Sequence, residues 1–168
     1  MPIAVCPGSF DPVTKGHLDI IKRASVLFEE VIVLVVVNVD KRCSFSLEER
    51  CEMIRQAAAG MENVRVDHYD GLLVDYVRRV GAQAIVKGLR AMSDFEYEFQ
   101  MALTNKKLLP YAETVFLTTS AENMYVSSSL VRQVAGFGGD IRDLVPGCLV
   151  KTIAKRLQRP PLADGDKR

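Results

Sequence analysis

Pro7-Gly8-Ser9-Phe10-Asp11-Pro12-Val13-Thr14-Lys15-Gly16-His17 follows directly on a short apolar run, Ile3-Ala4-Val5-Cys6. A strand feeding a Gly- and Pro-shaped turn, with a histidine where a helix begins, builds a phosphate site. The turn brings backbone N–H groups close to a ligand, and the helix N-terminus adds partial positive charge. His17 offers a ring N–H to a phosphate held there. The stretch points to a nucleotide, and the histidine points to chemistry rather than holding alone.

Working outward, β-branched runs at Ile3–Cys6, Val31–Val37, Val64–Tyr69, Ala84–Val86 and Val115–Leu117 read as strands. Val31 to Val37 is apolar throughout, as in a parallel strand covered on both faces. Segments with apolar residues three and four apart separate the strands. A helix after His17 has Ile20, Ile21, Ala24, Leu27 and Phe28 on its apolar face. Ser46-Leu47-Glu48-Glu49 is a capping box and starts a second helix, running to about Ala59 and stopping near Gly60. A third fits Leu72 to Val80, ending at Gly81. A fourth starts at another capping box, Ser93-Asp94-Phe95-Glu96, and ends before Pro110. A fifth starts at Ser127-Ser128-Ser129 and ends around Gly138-Gly139. Short helices fit the stretch after Asp140 and the stretch from Pro146 to Leu157.

The expected fold is therefore α/β: a Rossmann-like, doubly wound, five-stranded parallel sheet with helices on both faces. Residues 1–158 read as one domain and 159–168, which lack an apolar pattern, as a disordered tail. The 168 residues are 48% hydrophobic and 26% charged, ordinary for a globular protein rather than a disordered one. The net charge of +1 provides no whole-molecule field toward nucleic acid or an anionic membrane. Any positive field must be local.

Cys6, Cys43, Cys51 and Cys148 are scattered, with no CxxC pair and no histidine at ligand spacing. They read as reduced thiols, and no metal site is expected. No basic segment followed by a long apolar one opens the chain, so no signal peptide is expected. The run Val31 to Val37 is far shorter than the roughly 20 residues a bilayer requires. A cytoplasmic protein without membrane or nucleic-acid partners is the simplest expectation.

Ligands of such sheets sit beyond the carboxyl ends of the strands, at the switch in strand order. The positions after the strands are chemically biased. Ser9, Phe10 and His17 follow the first, and Asn38, Asp40, Lys41 and Arg42 the second. Asp70, Gly71, Leu72 and Leu73 follow the third, and Lys87-Gly88-Leu89-Arg90 the fourth. The fifth leads into Thr118, Thr119, Ser120 and the three serines. Each has an ordinary alternative. His17 could be a capping residue, Lys41-Arg42 a solvated loop, and Ser127–Ser129 only an N-cap. Gly88 could be a turn glycine, and Glu96 and Glu98 solvated helix faces. Together they place Lys41, Arg42, Lys87, Arg90 and His17 on one rim, and that collection suits a polyphosphate.

Thr14-Lys15-Gly16-His17 after Gly8-Ser9-Phe10-Asp11-Pro12 resembles the (H/T)xGH signature of the nucleotidyltransferase superfamily. Lys87-Gly88-Leu89-Arg90 leading to Asp94-Phe95-Glu96-Tyr97-Glu98, with Tyr125-Val126-Ser127-Ser128-Ser129-Leu130, narrows the resemblance to the bacterial phosphopantetheine adenylyltransferases. It extends from the first strand to about Leu157. It implies transfer of AMP from ATP to 4′-phosphopantetheine, with Mg²⁺, in a cytoplasmic homohexamer.

The resemblance implies His17 and Lys41 as catalytic residues. His17 would stabilise the α-phosphate, and Lys41 would bridge it to the incoming phosphate. Ser9 and Phe10 would hold phosphate at the first turn, and Lys87 the phosphopantetheine phosphate. Arg90, Ser128 and Ser129 would hold the β- and γ-phosphates. Gly88, Leu89, Glu98, Asn123, Met124, Tyr125, Val126 and Ser127 would complete the ATP site, and Leu73 would line the pantetheine arm. Many members carry arginine where Lys87 stands and a bulky aromatic near Asn123. A cytidylyltransferase of the same superfamily is the first alternative, although Thr14 stands where those enzymes commonly have histidine. A non-catalytic adenine-nucleotide sensor is the second.

Overall fold

The computed structural model describes residues 2–37, 42–90 and 92–160. Five strands, β1 (Ile3–Gly8), β2 (Glu30–Val36), β3 (Val64–Tyr69), β4 (Ala84–Leu89) and β5 (Glu113–Thr118), form one sheet in the order β3-β2-β1-β4-β5. Every pairing is parallel. The helices are α1 (Lys15–Leu27), α2 (Leu47–Ala57), α3 (Leu73–Val80), α4 (Met92–Leu108), α5 (Ser128–Gly136) and α6 (Val150–Leu157). The chain builds outward from β1 to β3, then returns to the other side of β1 for β4 and β5. The reversal opens a crevice between β1 and β4, where open α/β sheets take their ligands. The α/β fold expected from the sequence is the fold observed.

β2 explains the layering. Val31, Ile32, Val33, Leu34 and Val35 are all fully buried. Val31, Val33 and Val35 pack with Ile20, Ile21 and Ala24 of α1, Ile54 of α2, Val131 of α5 and Ile153 of α6. Ile32 and Leu34 pack on the other face with Val74, Tyr76 and Val77 of α3. Each such aliphatic side chain contributes about 1.5–3 kcal/mol by leaving water. None of the four cysteines is bridged. Among the described residues, no helix is long and apolar enough to cross a membrane.

Some boundaries differ from the sequence expectation. β4 continues through Lys87, Gly88 and Leu89 because these pair with Phe116, Leu117 and Thr118 of β5. α1 starts at Lys15, ahead of His17, with Thr14 as its N-cap. Leu27, expected on the apolar face, is 59% exposed, because α1 ends there and Phe28 leaves in extended backbone. α4 starts at Met92, so Ser93 lies within the helix rather than capping it. After Asp140 there is a turn instead of a helix, in which the Leu144 and Val145 N–H groups both donate to the Ile141 carbonyl. Pro146 then removes the next donor, leaving too short a stretch to propagate a helix. A 3₁₀ turn at Ala121–Asn123 was not expected, and another at Gly147–Leu149 leads into α6. Arg159, assigned to the tail, donates its N–H to the Gly136 carbonyl at 3.1 Å. Residues 161–168 lie outside the described residues.

Candidate active site

A cavity of about 490 Å³ opens at the carboxyl ends of β1 and β4 and reaches the N-terminus of α5. The turn after β1 forms its floor. Phe10 adopts φ 49°, the left-handed region that costs a non-glycine residue about 1–3 kcal/mol and persists only where its surroundings dictate it. The carbonyls on either side are anchored. Ser9 O accepts from Arg50 Nη1 at 2.8 Å, Asp11 O from Arg132 Nη1, and Pro12 O from Ser128 Oγ at 2.8 Å. The Asp11 side chain is buried and accepts the Ser44 and Phe45 N–H groups at 2.9 Å each. The Arg132 guanidinium lies 3.8 Å from the same carboxylate.

His17 is the third residue of α1 and closes a reciprocal cap with Thr14. The Thr14 hydroxyl accepts the His17 N–H at 3.2 Å, and the Thr14 N–H donates to Nδ1 at 3.0 Å. Nδ1 is thus an acceptor, and the neutral ring carries its proton on Nε2. The Phe10 ring meets the imidazole edge-on, with centroids 5.0 Å apart. Burial, with the charges of Arg90 and then Lys87, pushes the His17 pKa down to about 4. At neutral pH the ring is therefore an uncharged N–H donor.

The positive charge comes from neighbouring side chains. Lys87 Nζ lies 3.3 Å from Glu98 of α4. Arg90 Nε donates to Asp94 at 3.2 Å, and its Nη1 to the Val126 carbonyl at 3.0 Å. Ser127 caps α5 by accepting the Leu130 N–H at 3.1 Å, and Ser129 Oγ accepts from Arg132 Nη2 at 3.2 Å. A preorganised set of N–H donors and cations can stabilise charge on a transferring phosphoryl group without a covalent intermediate.

The cavity brings together Ser9, Phe10, His17, Lys87, Gly88, Arg90, Glu98, Val126, Ser127, Ser128 and Ser129. Leu89, Asn123, Met124 and Tyr125 do not line it. Leu73 packs beside the α3 core. Lys41, with Asn38 and Asp40, lies outside the described residues. Among the described residues, no three His, Cys, Asp or Glu side chains gather to hold a metal ion.

Sequence reasoning missed Thr14 as the partner of the His17 ring, and Asp11, Arg50 and Arg132 as anchors of the turn. Arg50 did carry a signal. It shares the buried stripe of α2 with Cys51 and Ile54, where a charge is out of place.

A neutral imidazole, cations and a helix N-terminus at the switch point of a parallel sheet define a nucleotidyltransferase-type domain. The cytidylyltransferase-like family profile accordingly matches residues 5–134. A structure described as a nicotinate-nucleotide adenylyltransferase from Vibrio parahaemolyticus shares the fold, with TM-score 0.64 and 18% identity over 91% of this chain and 99% of that one. The phosphopantetheine adenylyltransferase of Heliobacterium modesticaldum is 54% identical over 156 residues, 93% of each chain. That of Clostridium tetani is 56% identical over 156 residues, 93% of this chain and 98% of the relative. The chain belongs to the phosphopantetheine adenylyltransferase family.

Proposed function

We propose that this protein transfers the adenylyl group of ATP to 4′-phosphopantetheine, giving 3′-dephospho-CoA and pyrophosphate. The carrying observation is the neutral His17 donor set between Lys87, Arg90 and the serine-rich start of α5 in one cavity. A phosphate oxygen of phosphopantetheine attacks the α-phosphorus, and the bond to the β-bridging oxygen breaks. Pyrophosphate leaves with the electron pair. The nucleophile is already anionic, so the site needs positioning and fixed positive charge rather than a strong base.

In this reading His17 Nε2–H donates to the α-phosphate, beside Ser9 and the Phe10 backbone. Lys87 takes the acceptor phosphate, and Lys41 bridges it to the α-phosphate. Arg90, Ser128 and Ser129 take the β- and γ-phosphates. Gly88, Leu89, Glu98 and residues 123–127 surround the nucleotide, and Leu73 meets the pantetheine arm. The cavity carboxylates Asp94 and Glu98 are already paired with Arg90 and Lys87. Mg²⁺ would be held by the ATP phosphates and water rather than by these side chains, and would supply charge neutralisation there.

Phe99, Leu103, Leu108 and Tyr111 expose apolar surface along and just beyond α4. Such a surface suits burial against further copies, and a homohexamer is the assembly assigned. The unbridged thiols suit the reducing cytoplasm. The deciding experiment measures pyrophosphate release from ATP and Mg²⁺ with and without 4′-phosphopantetheine. Release that depends on phosphopantetheine supports the assignment. ATP binding without release overturns it, and a preference for CTP redirects it to a cytidylyltransferase.

A further inference from the structure

Arg50 is only 5% exposed and does not line the cavity. Arginine is almost never buried this deeply without a paired anion. Among the described residues, no carboxylate forms an ion pair with it. Its hydrogen bonds go to two main-chain carbonyls. Nε donates to Ser46 O at 3.3 Å, within its own helix terminus. Nη1 donates to Ser9 O at 2.8 Å, across 41 residues of sequence. A buried cation with no ion pair among the described residues therefore stands directly behind the turn expected to receive phosphate; the exposed Glu48 carboxylate, close by on the same helix, feels its charge.

The turn's chemistry gives that cation a task. A backbone turn attracts phosphate through its N–H groups, and its carbonyls repel it. The Ser9, Asp11 and Pro12 carbonyls are each engaged by a donor: Arg50, Arg132 and Ser128. Arg132 and Ser128 line the cavity itself, and Arg132 has the Asp11 carboxylate beside it. Arg50 is behind the cavity wall, and among the described residues no carboxylate lies within ion-pair distance of it. The engaged carbonyls also flank Phe10, whose left-handed backbone must be held in place.

We infer that Arg50 is a positioning residue for the phosphate turn. It engages the Ser9 carbonyl and adds a buried positive charge behind the ligand's phosphates, without touching the ligand. This rests on the adenylyl-transfer reading, which puts ATP phosphates at the turn. The consequence is selective: ligands bearing phosphate depend on Arg50, and the bare nucleoside does not.

The test titrates wild-type protein, Arg50→Gln and Arg50→Lys with ATP, inorganic pyrophosphate and adenosine, alongside thermal melts. Arg50→Gln should weaken ATP and pyrophosphate about tenfold or more, the scale of a lost charge-assisted hydrogen bond. Adenosine affinity should stay unchanged, and Arg50→Lys should recover part of the loss. If Arg50→Gln does not fold, the ATP-to-adenosine ratio is read in Arg50→Lys, where a smaller selective loss is expected. A purely structural arginine would lower all three affinities in step with the melting temperature, and that result overturns the inference. Wild-type affinities in both variants overturn it too. Wild-type protein that binds neither ATP nor pyrophosphate overturns the functional reading itself, and this inference with it.

Discussion

Thr14 decides which nitrogen of His17 is left to the cavity. Its N–H occupies Nδ1, so the proton stays on Nε2. Burial and two nearby cations keep the ring neutral, with a pKa of about 4 in the folded protein against about 6.5 in an unfolded chain. Between those values the unfolded state binds the extra proton, so acidification favours unfolding. The contribution of His17 to stability is present above about pH 6.5 and is lost as pH falls toward 4. Replacing His17 by Gln should therefore flatten the loss of stability between pH 7 and 5, read by denaturant unfolding. An equal loss in variant and wild type would contradict a depressed ring. For turnover, His17→Ala should lower kcat roughly 10²–10³-fold, as for removal of one preorganised donor. Near wild-type release of pyrophosphate would remove His17 from the reaction. Lys87→Ala should weaken phosphopantetheine far more than ATP, and equal losses in titrations of each would argue against its place.

These residues differ in how readable they were. Ser9 and His17 fall within one local stretch whose turn and helix start are visible in residue types alone. The anchors behind them act at long range: Asp11 reaches Ser44 across 33 residues, and Arg132 reaches Asp11 across 121. No spacing in the sequence encodes such pairs. Thr14 was hidden for another reason. Its reciprocal cap uses histidine where the common pattern has Glu or Gln.

At the scale of elements, Gly88 joins helix and strand. A Cβ there would lie 2.9 Å from Ile20 Cγ1 and 3.3 Å from its Cδ1. Ile20 belongs to α1, the helix that presents His17. Gly88→Ala should push α1 off β4, lowering stability by about 1–3 kcal/mol and kcat about tenfold. Adding Ile20→Ala should restore part of both, whereas a direct clash with ATP would remain. Kinetics and melts of the single and double variants separate the two causes. The elements themselves were legible where a strong period met a clear start, as at Ser46 and Ser127. They were misread where a period lacked room, since Ile141, Leu144 and Val145 have helical spacing yet bury their side chains from a turn. Residue types alone end β4 at Val86, whereas the register with β5 that extends it through Lys87 and Gly88 is a tertiary fact.

The whole molecule separates its chemistry from its outer apolar face. The strand order β3-β2-β1-β4-β5 places the reversal, and with it the cavity, beside β1. α4 serves both sides of the molecule. Asp94, Tyr97 and Glu98 in its first half line the cavity, while Leu103, further along, is 57% exposed and lies away from it. A charge at that position should be costly between the subunits of the proposed assembly and harmless in the monomer. If the proposed homohexamer forms through this face, wild-type protein sediments near six times the 18.7 kDa chain mass and Leu103→Glu well below it, while ATP affinity stays at the wild-type level. An unchanged sedimenting mass would remove this face from the assembly. A smaller species that no longer binds ATP would show that the cavity of one chain is not sufficient, and that assembly holds α4 in the form that pairs Lys87 with Glu98.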